Sequence, residues 1–148
     1  MEKKDYRLSS MPSAMCHVVI KRYGETCEEQ AISVELWSYY THVLTIDYHA
    51  DDQSFELHAS GTYSRTTARH INRFTREFLG EDLYHEIKRV CAKSDEEFPP
   101  VLAFDRINNI SSERAFFKAL HNYYNYGKRF HDYTKSEIER FNAHRWGW

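Results

Sequence analysis

No stretch of this chain is apolar for long enough to cross a bilayer, and no signal-like apolar run follows the basic start Met-Glu-Lys-Lys. Membrane insertion and secretion are therefore not expected, and the place of action reads as the cytoplasm. Cysteine is scarce: Cys16, Cys27 and Cys91 are odd in number and contain no Cys-x-x-Cys pair, which suits a reducing compartment better than a disulfide framework. Gly-rich phosphate loops and nucleophile elbows are missing, as are internal repeats and low-complexity tracts. Nor does one charge dominate. With 20 Lys and Arg against 22 Asp and Glu, the net charge of −2 argues against a general nucleic-acid coat protein, so any nucleic-acid contact must be local.

Histidine is plentiful, at 17, 42, 49, 58, 70, 85, 121, 131 and 144. None forms a His-x-x-x-His or Glu-x-x-His helical pair with another ligand in view, and no cysteine pair completes a zinc site. Neither a metal nor a cofactor is expected on these spacings. The acids bunch at Glu25/Glu28/Glu29, Asp51/Asp52, Glu81/Asp82 and Asp95/Glu96/Glu97, and read as solvated loops.

What is present suits one globular domain of 148 residues, 41% hydrophobic and 28% charged, able to bury a core without disulfides. Aromatic residues are frequent, with eleven Tyr, nine Phe and three Trp. Tyrosines in such number sit half-buried, ring packed and hydroxyl hydrated, and are favoured at partner surfaces.

Residues 1 to 14 are polar and aperiodic, which predicts a flexible leader before a domain over 15–148. Alternation of Cys16, Val18 and Ile20 predicts one strand, and that of Ile32, Val34 and Leu36 a second. A hairpin follows. With its tip at Asp51-Asp52, Tyr48 faces Phe55, Ile46 faces Leu57 and Leu44 faces Ala59, while the other side pairs Asp47 with Glu56 and Thr45 with His58. Because Asp47 and Glu56 repel, a longer loop over Ala50 to Gln53 is an alternative.

Beyond Gly61, Thr66 or Thr67 is a fitting N-cap for a helix that Gly80 stops. Residues 81 to 93 read as a second helix, with Leu83, Ile87, Val90 and Cys91 inward, and Val101 to Phe104 as a short strand or packing segment. Ser111 or Ser112 caps a third helix with the stripe Phe116, Leu120, Tyr123 and Tyr124, interrupted at Gly127. Thr134-Lys-Ser-Glu137 has capping-box spacing before a short last helix. The expectation is an α+β fold: a mostly antiparallel sheet of about four strands, then three to four helices.

The segment from Ser60 to Phe78 carries the most informative pattern. At about 100° per residue, Arg65, Arg69, Arg73 and Arg76 fall within about 80° of one another, with Ile71, Phe74 and Phe78 opposite. A solvated helix face accounts for polar residues there. Four cations with only Glu77 nearby instead suggest a clamp for phosphates or carboxylates, because each guanidinium offers a planar two-pronged fork. Tyr63, Tyr39 and Tyr40 could add base stacking. The terminal Arg-Trp-Gly-Trp, with Trp146 and Trp148 near Arg140 and Arg145, either folds back onto its own domain or forms an interface hot spot.

A catalytic reading has to be assembled from parts, with His70 as base beside an arginine and His58 or His121 as acid, as in a metal-free nuclease. Cys16 and His17 are adjacent on a strand, point to opposite faces and cannot act together.

The motifs Leu36-Trp-Ser-Tyr-Tyr-Thr-His-Val43 and Gly61-Thr-Tyr-Ser-Arg-Thr-Thr-Ala-Arg-His-Ile-Asn-Arg-Phe74 resemble a small family of bacteriophage and mobile-element proteins. Its pattern is Ser-Tyr-x-Thr-x-Val, a hairpin, then Tyr-Ser-x-Thr-Thr-x-x-His-Ile. The likeness covers residues 34 to 79 and marks Tyr63, Thr66, Thr67, Arg69 and His70 as candidates. A structural role is equally open to them, with the threonines capping the helix and His70 bonding a strand. That family has no assigned activity, so the resemblance implies a phage-like origin rather than a mechanism.

The expected function is a non-enzymatic binding protein that modulates a host protein or ribonucleoprotein complex in the host cytoplasm. An anti-defence inhibitor of the anti-CRISPR kind is a specific version. A nucleic-acid binder using Arg65, Arg69, Arg73 and Arg76 is the alternative, and a metal-free nuclease the third. The binding residues expected are those four arginines with Tyr63, His70, Trp146 and Trp148.

Overall fold

The computed structural model describes residues 1–24, 30–39, 41–59, 65–92 and 110–145. Its centre is a five-stranded antiparallel meander of β1 (Glu2–Arg7), β2 (Cys16–Tyr23), β3 (Ala31–Ser38), β4 (Thr41–His49) and β5 (Ser54–Ala59), neighbours in sequence being neighbours in the sheet. Four helices follow among the described residues: α1 (Arg65–Leu79), α2 (Tyr84–Ala92), α3 (Ile110–Tyr126) and α4 (Lys135–Arg145). The α+β class holds, with five strands where about four are expected. No described helix is long and apolar enough to cross a membrane.

The hairpin register is the one the apolar alternation demands. Tyr48 pairs with Phe55, Ile46 with Leu57 and Leu44 with Ala59, which places Asp47 opposite Glu56 and Thr45 opposite His58. The connection is the longer loop, since His49 pairs with Ser54 and Gln53 takes a positive φ of 55°.

The added strand corrects the expectation of a flexible leader over residues 1–14. Glu2 to Arg7 pair with Arg22 to His17 along the free edge of β2, and Tyr6 and Leu8 are buried. The β1 edge is in turn closed after α3, where Arg7 donates its N–H to the Lys128 carbonyl and Tyr6 bridges to Arg129. The stretch Val101 to Phe104 lies outside the described residues.

One sheet face carries Val18, Ile20, Ile32, Val34, Leu36, Leu44, Ile46 and Leu57, all essentially closed to solvent, and α1 and α3 cover it. Phe116 of α3 meets Tyr48 and Phe55 with ring centroids 5.6 and 5.1 Å apart, and Phe78 of α1 stacks on Tyr123 at 5.5 Å and 9°. Side chains of this size contribute about 1.5–3 kcal/mol each when fully buried, so the helix layer is held mainly by aromatic packing.

Helix ends differ from expectation in detail. Helix α1 begins at Arg65, so Thr66 and Thr67 sit inside its first turn and do not cap it. It ends where Gly80, at φ 78°, returns its N–H to Arg76. Helix α2 starts at Tyr84 rather than 81, because α1 side chains serve its first turn: the Leu83 N–H donates to Thr75 Oγ1 and the Tyr84 N–H to Asn72 Oδ1. Helix α3 already includes Ser111 and Ser112. The capping box at α4 forms as its spacing requires, the Glu137 N–H donating to Thr134 Oγ1 at 3.2 Å and the Thr134 N–H to Glu137 Oε1 at 3.2 Å.

Gly127, just past α3, has no room for a side chain. A Cβ there would lie 2.5 Å from the Tyr123 carbonyl oxygen and 2.6 Å from the ring of buried Tyr6. Gly127→Ala should therefore cost about 2 kcal/mol in urea unfolding through forced displacement of that ring. A loss below about 0.5 kcal/mol, the scale of an uneventful surface change, would show that the β1–α3 contact yields freely.

Candidate functional site

The two-sidedness of α1 follows from its helical period. Ile71, Phe74 and Phe78 are fully buried, and Arg69, Arg73 and Arg76 are exposed on the other side. The exposed side is not uniform. Arg76 donates Nε to Asp82 Oδ1 at 2.8 Å and its second prong to Asp82 Oδ2, a two-pronged pair that uses its fork within the molecule. Arg69 and Arg73, one turn apart, form no ion pair among the described residues. Arg65 opens the helix, but its side chain lies outside the described residues, as do Tyr63, Trp146 and Trp148 entirely.

Glu77, the nearest acid in sequence, forms no ion pair with these arginines among the described residues. It accepts hydrogen bonds from Ser9 Oγ at 2.5 Å, Ser10 Oγ at 2.6 Å and Tyr123 Oη at 2.8 Å, tying the segment after β1 to both α1 and α3. Beside it, a groove of about 330 Å³ between α1 and α3 is lined by Ser9, Arg76, Lys118, Asn122 and Tyr123.

His70 takes the structural role that was open to it. Its Nδ1 lies 2.8 Å from Ser38 Oγ on β3, and Ser38 Oγ lies 3.0 Å from Thr67 Oγ1, a buried polar node joining α1 to the sheet. The Ser38–His70 distance is that of a nucleophile and its base. Access is not: His70 is 1% exposed and Ser38 3%. Burial, reinforced by the Arg69 charge, pushes the His70 pKa down from 6.5 to about 4. The ring is thus neutral near pH 7 and sits under the exposed side, not on it.

The other catalytic parts are not brought to His70. His58 is on the opposite face of the sheet from α1, and His121 is exposed on α3. Cys16 faces the core and His17 the outer face, as their strand positions require, and burial raises the Cys16 thiol far above its usual range.

The outer sheet face is polar and tightly paired. Asp5 Oδ1 lies 2.7 Å from His17 Nδ1, while Lys21 Nζ at 2.8 Å and Trp37 Nε1 at 3.1 Å donate to the buried Glu35. Burial pushes the Glu35 pKa up, but those two donors outweigh it and hold the carboxyl below its ordinary value. Across three strands runs a row of rings: Phe130 on His17 at 4.1 Å, His17 beside Trp37 at 5.7 Å, and Trp37 on His42 at 5.0 Å. Farther along, donor atoms of Asp47, Glu56 and His58 lie within 4.8 Å of one another. Helical spacing could not find this group, but the hairpin register could, because it sets Asp47 and Glu56 opposite each other on the side away from the core.

No family model, curated protein or solved structure matches the chain.

His70 gives the fold a predictable pH response. Its native pKa is below that of the unfolded chain, so between pH 6.5 and about 4 the unfolded state binds a proton that the native state refuses. The stabilisation is complete above pH 6.5 and is lost as pH falls towards 4. In His70→Asn, which keeps a hydrogen-bonding partner near Ser38, the drop in unfolding free energy from pH 7 to pH 5 should be about 2 kcal/mol smaller than in the parent. Equal drops in the two proteins would mean that His70 is protonated in the folded state.

Proposed function

We propose that this protein is a phage-type, non-enzymatic binding protein that docks on an acidic surface of a host protein or complex and modulates it. Inhibition of a host defence system, an anti-CRISPR activity included, is the specific form this would take. The phage-like origin rests on the resemblance of residues 36–43 and 61–74. The observation that carries the docking role is on α1: Arg69 and Arg73 project from a helix whose reverse side is locked into the core, so they are presented on a rigid support. The host cytoplasm is the proposed place of action.

A protein partner is favoured over nucleic acid by layering and by charge. The exposed arginines stand on the helix layer, while the ring row Phe130, His17, Trp37 and His42 is on the far side of the sheet, so the charges and these rings cannot track one strand together. Among the described residues, the two arginines of α1 left without an ion pair would release counter-ions from about two phosphates, a log K against log salt slope near −2.

Arg69→Glu/Arg73→Glu is the decisive variant. Both sites are exposed, so the fold should be kept within about 0.5 kcal/mol. In affinity capture from nuclease-treated host lysate, the parent should retain a specific protein partner and the variant should lose it about tenfold or more. Equal capture by both would remove the α1 surface from the function. Capture that vanishes on nuclease treatment would transfer it to nucleic acid.

A further inference from the structure

We propose that the outer face of the β4–β5 hairpin binds a divalent transition-metal ion of the zinc class through Asp47, Glu56 and His58, with His49 next to them. This site is independent of the α1 surface and of the function proposed for it.

The donor spacing matches coordination. In a tetrahedral site with zinc–nitrogen and zinc–oxygen bonds of about 2.0–2.1 Å, neighbouring donor atoms stand about 3.3–3.4 Å apart. His58 Nε2 lies 3.1 Å from Asp47 Oδ2 and 3.5 Å from Glu56 Oε2, and the three donors fall within 4.8 Å of one another. His49 Nε2 is 3.8 Å from Glu56 Oε2 and can approach as a fourth ligand. Small side-chain rotations suffice to close the set around one ion.

The scaffold is rigid, and that makes the arrangement informative. Asp47 and Glu56 are directly opposed across paired strands, where like charges destabilise. They cannot separate by slipping, because a shift of one residue would expel Tyr48, Ile46, Phe55 and Leu57 from the core. Something positive between the two carboxylates relieves the repulsion. A metal ion held by both carboxylates and His58 supplies that positive charge.

Ligand type selects the ion. Imidazole with two carboxylates suits Zn²⁺, Co²⁺ or Ni²⁺, whereas Mg²⁺ and Ca²⁺ prefer all-oxygen sets. The side chains of Asp47, His58 and Glu56 are 30%, 40% and 46% exposed, so an ion can enter from solvent and keep water in a remaining position.

The test is calorimetric titration of the untagged, chelator-stripped full chain with Zn²⁺ at pH 7.5, followed by the Co²⁺ visible spectrum. One equivalent should bind with a Kd near or below about 10 µM, unaffected by millimolar Mg²⁺ on the order of 5 mM. His58→Gln and Asp47→Asn should each weaken binding by about tenfold or more, while His121→Gln, an exposed histidine on α3, should not. Asp47→Asn removes a repulsion, so it should fold at least as well as the parent and lose the Zn²⁺-dependent rise in melting temperature. Absence of saturable binding below about 100 µM, or unchanged binding in Asp47→Asn/Glu56→Gln/His58→Gln, overturns the site.

Discussion

Phe78 is the side chain on which the layers of this protein converge. It stacks on Tyr123 of α3, meets Phe74 one turn back in its own helix and approaches Phe116, which in turn packs on Tyr48 and Phe55 of the hairpin. The seam fixes the rotation of α1 about its axis. Turning the helix by one residue, about 100°, would draw Arg69 or Arg73 towards the core, where an unpaired guanidinium costs far more than any surface contact returns. The exposed cations are therefore a consequence of the buried rings.

Polar contacts refine this packing. Glu77 gathers Ser9, Ser10 and Tyr123, and the Ser9 N–H also donates to the Tyr123 hydroxyl, so the segment after β1 is latched to both helices. The Ser38, Thr67 and His70 node fixes the other end of α1 to β3. Between them, the two nodes constrain how far α1 can slide along the sheet. Both use a helix position on the boundary between the apolar and charged sides, where a polar group can be buried and still find a partner.

Much of this was legible in the residues, for reasons that differ by element. The β4–β5 register could be read because three apolar rungs agree and period-two alternation tolerates no slip. The first strand could not. Its core-facing positions are Glu2, Lys4 and Tyr6, of which only Tyr6 is buried, and Lys4 lays its ammonium over the Tyr124 ring, so the edge strand shows no apolar alternation. Periodicity also gave the sidedness of α1, but not the engagement of Arg76, because Asp82 reaches it only after the chain reverses at Gly80. His70 was readable in principle, since it precedes Phe74 by one turn and so falls at the inner margin of the buried side.

The candidate docking helix and the hairpin carboxylates belong to different layers, and the physics of each is separate. A helix is about 10 Å across, so the α1 arginines and the outer carboxylates are divided by a helix and a sheet, beyond a Debye length at physiological salt. Field effects between them are screened, leaving mechanical coupling through the sheet as the remaining route. The strands that would carry it are paired residue for residue from β1 to β5, with a single irregularity at Leu36/Trp37. That bulge lies beside Ser38, the β3 partner of His70, and within the ring row at Trp37.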